Sequence, residues 1–346
     1  MRERSRAAVI DCLQYCKYSE ETFRDIRAGG VDAIHTTICY HEDFRETVDN
    51  IIRWNRWFEA YPDLIFAGRF AEDVKRAQAE NRTAVFFGLQ NCSPIEDNIG
   101  LVEVCHALGV RFMQLSYNNQ SLLATGCYEE NDLGITRMGR EVIAEMNRVG
   151  MVVDMSHSAS LSTLQAIELS RFPIAITHAN PHHWHPAPRN KTLGVLKALA
   201  HSGGMLGFSL YPYHLRNGSS CTLNDFCTMV ARTAETIGVA NLGLGTDLCQ
   251  GQPDEVLQWM RWGRWTKERP AEPVAFPRQP EWFQSNRDFD NIAKGLAAVG
   301  FAQSEIDAIM GENWARFFER TFPAQRAANA DIRNGAPIAA VQGSRR

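Results

Sequence analysis

Two histidines and an aspartate stand where α/β proteins do chemistry. His157 ends the run MVVDMSH, His178 falls near the end of PIAITHAN, and Asp247 follows GLGT. Neutral imidazole is the commonest zinc-type ligand, and an aspartate at a strand end can ligate a metal or take a proton from its water. Together the three could hold one divalent ion with positions open for water and substrate. Any one of them alone reads equally well as a satisfied polar residue, but three at strand ends of one sheet point to a site.

The elements that must position them are legible in the same stretch. MVVD and PIAI are the near-continuous apolar runs of strands covered on both faces, and GREVIAEMNRVG has helical spacing with a glycine stop. In a right-handed βαβ unit the two parallel strands lie side by side with their C-terminal ends at one edge, which delivers His157 and His178 to one place. Similar apolar runs alternate with helical patterns along the chain: AAVIDC, VDAIHTTI, LIFAGRF, TAVFFGLQN, VRFMQLSY, GMLGFSLYPY and LGLGTDL. No G-x-G-x-x-G follows the first strand, so the expectation is a (β/α)8 TIM-type barrel rather than an open nucleotide-binding sheet.

A chain of 346 residues suits one such barrel, placed over residues 1–322. Within it the Trp- and Pro-rich segment of about 250–290 reads as an excursion over one barrel end. Two closing helices are expected around 291–299 and 304–322. The tail, 323–346, has too few large apolar residues to build a core. Barrel enzymes work at the C-terminal ends of their strands, which here present Asp11, Cys12, Gln90, Asn91, Tyr117, Asn118, His157, His178, Tyr211 and Asp247.

Composition narrows the partners. With 45% hydrophobic and 22% charged residues and a net charge of −4, there is no electrostatic case for nucleic acid or an anionic membrane, and a small molecule is the expected partner. No run approaches the ~18 apolar residues of a membrane span. Nine cysteines, an odd number scattered through predicted elements with no apolar leader at MRERSRAAVID, point to reduced thiols and a cytoplasmic location. A homodimer is compatible with all of this.

The block YNNQSLLATGCYEENDLGITRMGREVIAEMNRVGMVVDMSHSA, the strand ITHAN, PRN at 188–190, GLGTD and IMGENW at 309–314 resemble the membrane dipeptidase (renal dipeptidase) family of metallopeptidases, over roughly residues 7–322. The resemblance implies a barrel related to the metal-dependent amidohydrolases, a dizinc centre in typical members and hydrolysis of dipeptides, often with a D-residue second. It makes His157 and His178 ligands of one ion, Arg189 the partner of the substrate carboxylate, Asp247 the late aspartate that shuttles a proton, and Asn190 a substrate contact. Tyr117 stands where some members carry a substrate-polarising histidine, and a phenol can donate to an oxyanion. Asn118 beside it is a further substrate-binding candidate.

Departures from the family pattern fall on the other ion. Typical members end the first strand Asp-Gly-His-x-Asp, whereas this chain reads Asp11-Cys12-Leu13-Gln14-Tyr15, and Gln90 replaces the bridging glutamate. A neutral amide cannot offset two close dications, so one zinc or other divalent ion per chain is expected, held by His157 and His178 with Asp247 or Gln90. The alternative is a metal-free or differently catalytic barrel that binds a small molecule in the old pocket.

Other features carry plainer readings. His182, His183 and His185 lie in a Pro-flanked rim loop, and Cys12 and Cys16 lack a second pair for structural zinc. The spacing of Trp259, Trp262 and Trp265 fits one helical face.

Overall fold

In the computed structural model, which describes residues 6–264, 266–267 and 274–322, the chain alternates strands and helices from the start. The strands are β1 Ile10–Gln14, β2 Ala33–Cys39, β3 Ile65–Ala67, β4 Thr83–Leu89, β5 Val110–Gln114, β6 Val152–Asp154, β7 Ala175–Ile176, β8 Met205–Phe208 and β9 Leu242–Leu244. Between and after them run α1 Glu20–Ala28, α2 Phe44–Ala60, α3 Glu72–Glu80, α4 Gly100–Ala107, α5 Arg137–Val149, α6 Ser160–Leu169, α7 Leu193–His201, α8 Leu223–Ile237, α9 Asp254–Trp262, α10 Phe289–Ala298, α11 Gln303–Asp307 and α12 Asn313–Thr321. A π-turn at Ala308–Glu312 joins the last two. Trp265 and the tail 323–346 lie outside the described residues, and none of the described helices is long and apolar enough to cross a membrane.

All pairings are parallel, in the order β2-β1-β9-β8-β7-β6-β5-β4, and β2 pairs directly with β4 to close the barrel expected from the alternation. β3 stands outside that wall. Among the described residues it pairs only with Thr83–Val85, the first part of β4, while Phe87–Leu89 pair with β5. LIFAGRF stops after three residues because the chain turns at once: Asp73 accepts the backbone N–H groups of Arg69 and Phe70 and caps the turn into α3.

The N-terminal end of the barrel is plugged with aromatics. Trp314, Phe317 and Phe318 on α12 are fully buried, and Phe318 packs tilted against Phe86 of β4 and edge-on against Phe112 of β5. Trp314 Nε1 also donates to the Leu244 carbonyl at 2.9 Å. The C-terminal end is left to the loops, among them α9 from the Trp-rich segment, where Leu257, Met260 and Arg261 face a cavity at the strand ends.

Candidate active site

β6 and β7 end earlier than their apolar runs suggest. The Asp154 carboxylate ends the ladder by accepting the N–H groups of Ser156 and Thr177 and the hydroxyls of both, the last two at 2.6 Å. His157 and His178 therefore sit on short irregular ends just past the strands, and their Nε2 atoms face each other at 3.0 Å. Two close approaches hold the second end in depth. A Cβ on Gly207 or Gly245 would meet the Thr177 carbonyl oxygen at 1.9 or 1.7 Å, so only glycine lets β8 and β9 come this near.

Hydrogen bonding assigns the protons on both rings. The Thr177 hydroxyl donates to Asp154, so it can only accept from His178 Nδ1, at 2.8 Å. His157 Nδ1 donates to Asn118 Oδ1 at 2.7 Å. Burial, with Arg189 adding to it, pushes both imidazoles well below their ordinary pKa, so both are neutral. With both Nδ1 atoms protonated, the two Nε2 atoms carry bare lone pairs 3.0 Å apart, a pairing that is repulsive alone and relieved by a cation bonded to both.

The donor set discriminates between one ion and two. A two-ion centre does not fit: Leu13 and Tyr15 occupy the family's ligand positions on β1 and pack in a buried apolar cluster with Tyr40, Tyr117, Cys249 and Met260. Gln90 lies on the cavity wall with its Nε2 donating to Thr37 Oγ1 at 2.7 Å. The facing imidazoles supply two of the donors that a single ion would need. Among the described residues no group of three or more His, Cys, Asp or Glu is arranged to hold a metal, so Asp247 is not a third ligand in this geometry.

Asp247 shares the cavity wall with His157, Tyr117, Asn118 and Arg189. Its backbone sits in the left-handed region at φ 60, as does Asn118 at φ 61, a conformation that non-glycine residues adopt under local constraint. Burial raises its carboxyl to about 7, opposed by Arg189. Arg189 itself donates through Nη1 to the Ser156 carbonyl and through Nη2 to that of His178 at 3.0 Å, tying the two histidine ends together. Tyr117 stacks on His157 with ring centroids 4.2 Å apart, and burial pushes its phenol well above the ordinary value, so it stays protonated.

Asn190, expected to touch substrate, does not line the cavity. Its Oδ1 accepts from the Asn180 backbone, and its Nδ2 donates to the carbonyls of His185 and His214, which makes it a brace for the loop. Among the described residues none of His182, His183 and His185 joins the facing pair in a metal-holding group. Three further groups at the site carry little signal in the sequence. His214, after YPY, places Nδ1 3.8 Å from Asp247 Oδ2. Lys191, next to Asn190, donates to the Met155 and Ser158 carbonyls at 2.8 and 2.6 Å and clamps the turn that carries His157. The Asp154–Thr177 pair behind His178 is the third, and only its strand-end position hinted at it.

Comparison with known proteins follows the same lines. A family model described as membrane dipeptidase (peptidase family M19) matches residues 16–260. Dipeptidase tcpJ of Claviceps purpurea is 28% identical over 288 residues, and dipeptidase aclJ of Aspergillus oryzae 27% identical over 214. These matches cover 82% and 60% of this chain but span only 61% and 50% of those relatives. An amidohydrolase from Pseudomonas aeruginosa is similar in structure with a TM-score of 0.87 at 33% identity, over 91% of this chain and 97% of that one. A metallo peptidase from Rhodobacter sphaeroides, liganded with a phosphinate mimic of L-Ala-D-Ala, has a TM-score of 0.77 over 92% of this chain and 100% of that one; at 16% identity this is a likeness of fold.

Proposed function

Because the chain belongs to the membrane dipeptidase family, we propose that it hydrolyses a dipeptide or related small amide with one divalent ion, zinc being the type the donors suit. The observation that carries this reading is the facing of His157 and His178 Nε2 at 3.0 Å, with His157 on a cavity wall that also holds Asp247 and Arg189 and His178 buried behind it. When bound there, the ion supplies Lewis-acid activation of water and of the amide carbonyl.

The chain's own groups account for the remaining work. Asp247, with its carboxyl near 7, takes the proton of the attacking water and hands it to the leaving amine. Tyr117 keeps its proton and donates to the oxyanion. Arg189 uses its free N–H groups on the substrate carboxylate while its other donors hold the histidine ends. A cavity of about 80 Å³, well below the ~300–1,000 Å³ common for ligand sites, favours the smallest dipeptides. L-Ala-D-Ala, whose phosphinate mimic occupies the Rhodobacter sphaeroides relative, is the natural first assay.

The test compares hydrolysis of L-Ala-D-Ala with that of its C-terminal amide in zinc-supplied enzyme. Cleavage of the acid with a kcat/KM at least ~100-fold above that of the amide is expected, the size of a lost charge-assisted pair. No cleavage of either substrate would overturn the dipeptidase reading and leave ligand binding in a former dipeptidase pocket, a role to which the apolar filling around Leu13 and Tyr15 is equally suited.

A further inference from the structure

An opening next to the barrel mouth is larger than the histidine site. A cavity of about 360 Å³ lies between the ends of β1 and β2, the middle of α2 and α9, separated from the smaller cavity by Tyr15, which lines both. Its volume falls in the range of sites that take small organic molecules.

Its walls are aromatic and held in place. Tyr18 and Trp54 have centroids 4.7 Å apart, and Trp54 and Trp57 4.9 Å apart, on the α2 side. From α9, Trp259 is fixed by its Nε1 donating to Glu42 Oε1 at 3.0 Å, with Arg264 over its ring at 5.5 Å. The other oxygen of Glu42 accepts the backbone N–H groups of Tyr40 and His41, so this carboxylate is committed to the wall. Lys17 and Arg53 are exposed lining residues, and among the described residues neither has an ion-pair partner. Aromatic walls with two exposed, uncommitted cations beside them match a flat ring that carries a negative group.

We propose that this cavity is a second ligand site, separate from the histidine site, for a small aromatic acid. The ring stacks between the tryptophans and the carboxylate meets Arg53 and Lys17. This site stands whether or not the chain cleaves dipeptides.

The probe is naphthalene-1-carboxylate, titrated into the full chain and read by quenching of tryptophan fluorescence and by calorimetry. Naphthalene-1-methanol and 1-naphthylmethylamine serve as neutral and cationic partners of the same shape. The carboxylate is expected to saturate and to bind about tenfold or more tighter than either. Arg53→Gln, an exposed change that leaves the fold intact, is expected to remove most of that preference, and Trp57→Ala to weaken all three probes. Excess L-Ala-D-Ala is expected not to displace the carboxylate. Equal binding of the three probes, an unchanged preference in Arg53→Gln, absence of saturable binding or displacement by the dipeptide would each overturn the proposal.

Discussion

His178 keeps its proton on Nδ1 because Thr177 has nothing left to donate, its hydroxyl hydrogen being committed to Asp154. This carboxylate–hydroxyl–imidazole chain sets the direction of the Nε2 lone pair, and partners of this kind typically change metal affinity by 10–100-fold. Thr177→Val, equal in shape but without the hydroxyl, is therefore expected to weaken zinc binding by about 10–100-fold in competition with a chelator, while Thr177→Ser restores it. Equal affinity in all three proteins would show that His178 is not oriented this way. A second residue-scale prediction concerns the facing pair: His157→Ala or His178→Ala is expected to abolish metal retention on dialysis while leaving the thermal transition of the barrel in place. Both histidines were legible in the sequence, because apolar strands of known direction put their ends at one edge. The relay, the Lys191 clamp and the bracing role of Asn190 were not, since each depends on backbone carbonyls that converge only in the fold.

At the level of elements, the contrast lies between the ends of β6 and β7, which carry the proposed ligand pair, and the end of β1, where Leu13 and Tyr15 stand at the family's other ligand positions. Leu13 and Tyr15 are 0% and 2% exposed in a cluster that also takes Tyr40 and Tyr117, so the space of the family's other ion is filled with side chains. Leu13→His with Tyr15→Asp and Gln90→Glu restores the family's ligand types, yet it places ionisable groups among apolar neighbours. The triple variant is expected to lose roughly 3 kcal/mol or more of stability in urea and to bind no more metal than wild type. A gain of a second equivalent would show that the cluster opens readily. The sequence displayed the lost ligands but not their replacement by packing, because Tyr40 and Met260 arrive from distant parts of the chain. β2 also carries His35, stacked on Phe112 at 4.2 Å with Nδ1 bonded to the Cys12 carbonyl at 2.8 Å and no partner for Nε2. Burial lowers its pKa from 6.5 to about 3, so between those values the unfolded chain binds a proton that the folded chain refuses. Its contribution is complete above pH ~6.5 and is lost as pH falls towards 3, at up to about 1.4 kcal/mol per unit. Stability measured from pH 7 down to 5 is expected to fall less steeply in His35→Gln than in wild type; parallel curves would remove His35 from the account.

For the whole molecule, the barrel divides labour between its ends. The N-terminal end is a packed plug, where Trp314→Ala would remove a fully buried ring and its bond to the Leu244 carbonyl, at an expected loss of about 3–5 kcal/mol. Such a variant is expected to keep its metal wherever it remains folded, because the ligands belong to the opposite end. The alternation of strands and helices made this architecture legible, whereas the position of β3 outside the wall was not, since nothing in LIFAGRF distinguishes a strand that spans the wall from one that stops at its edge. The central claim is that one ion position survives and the other has been built over. It is tested most directly by elemental analysis of protein supplied with zinc and freed of loose metal. The account predicts about one equivalent per chain, absent from His157→Ala and His178→Ala. Two equivalents in the wild type, or well under one in every preparation, would contradict it.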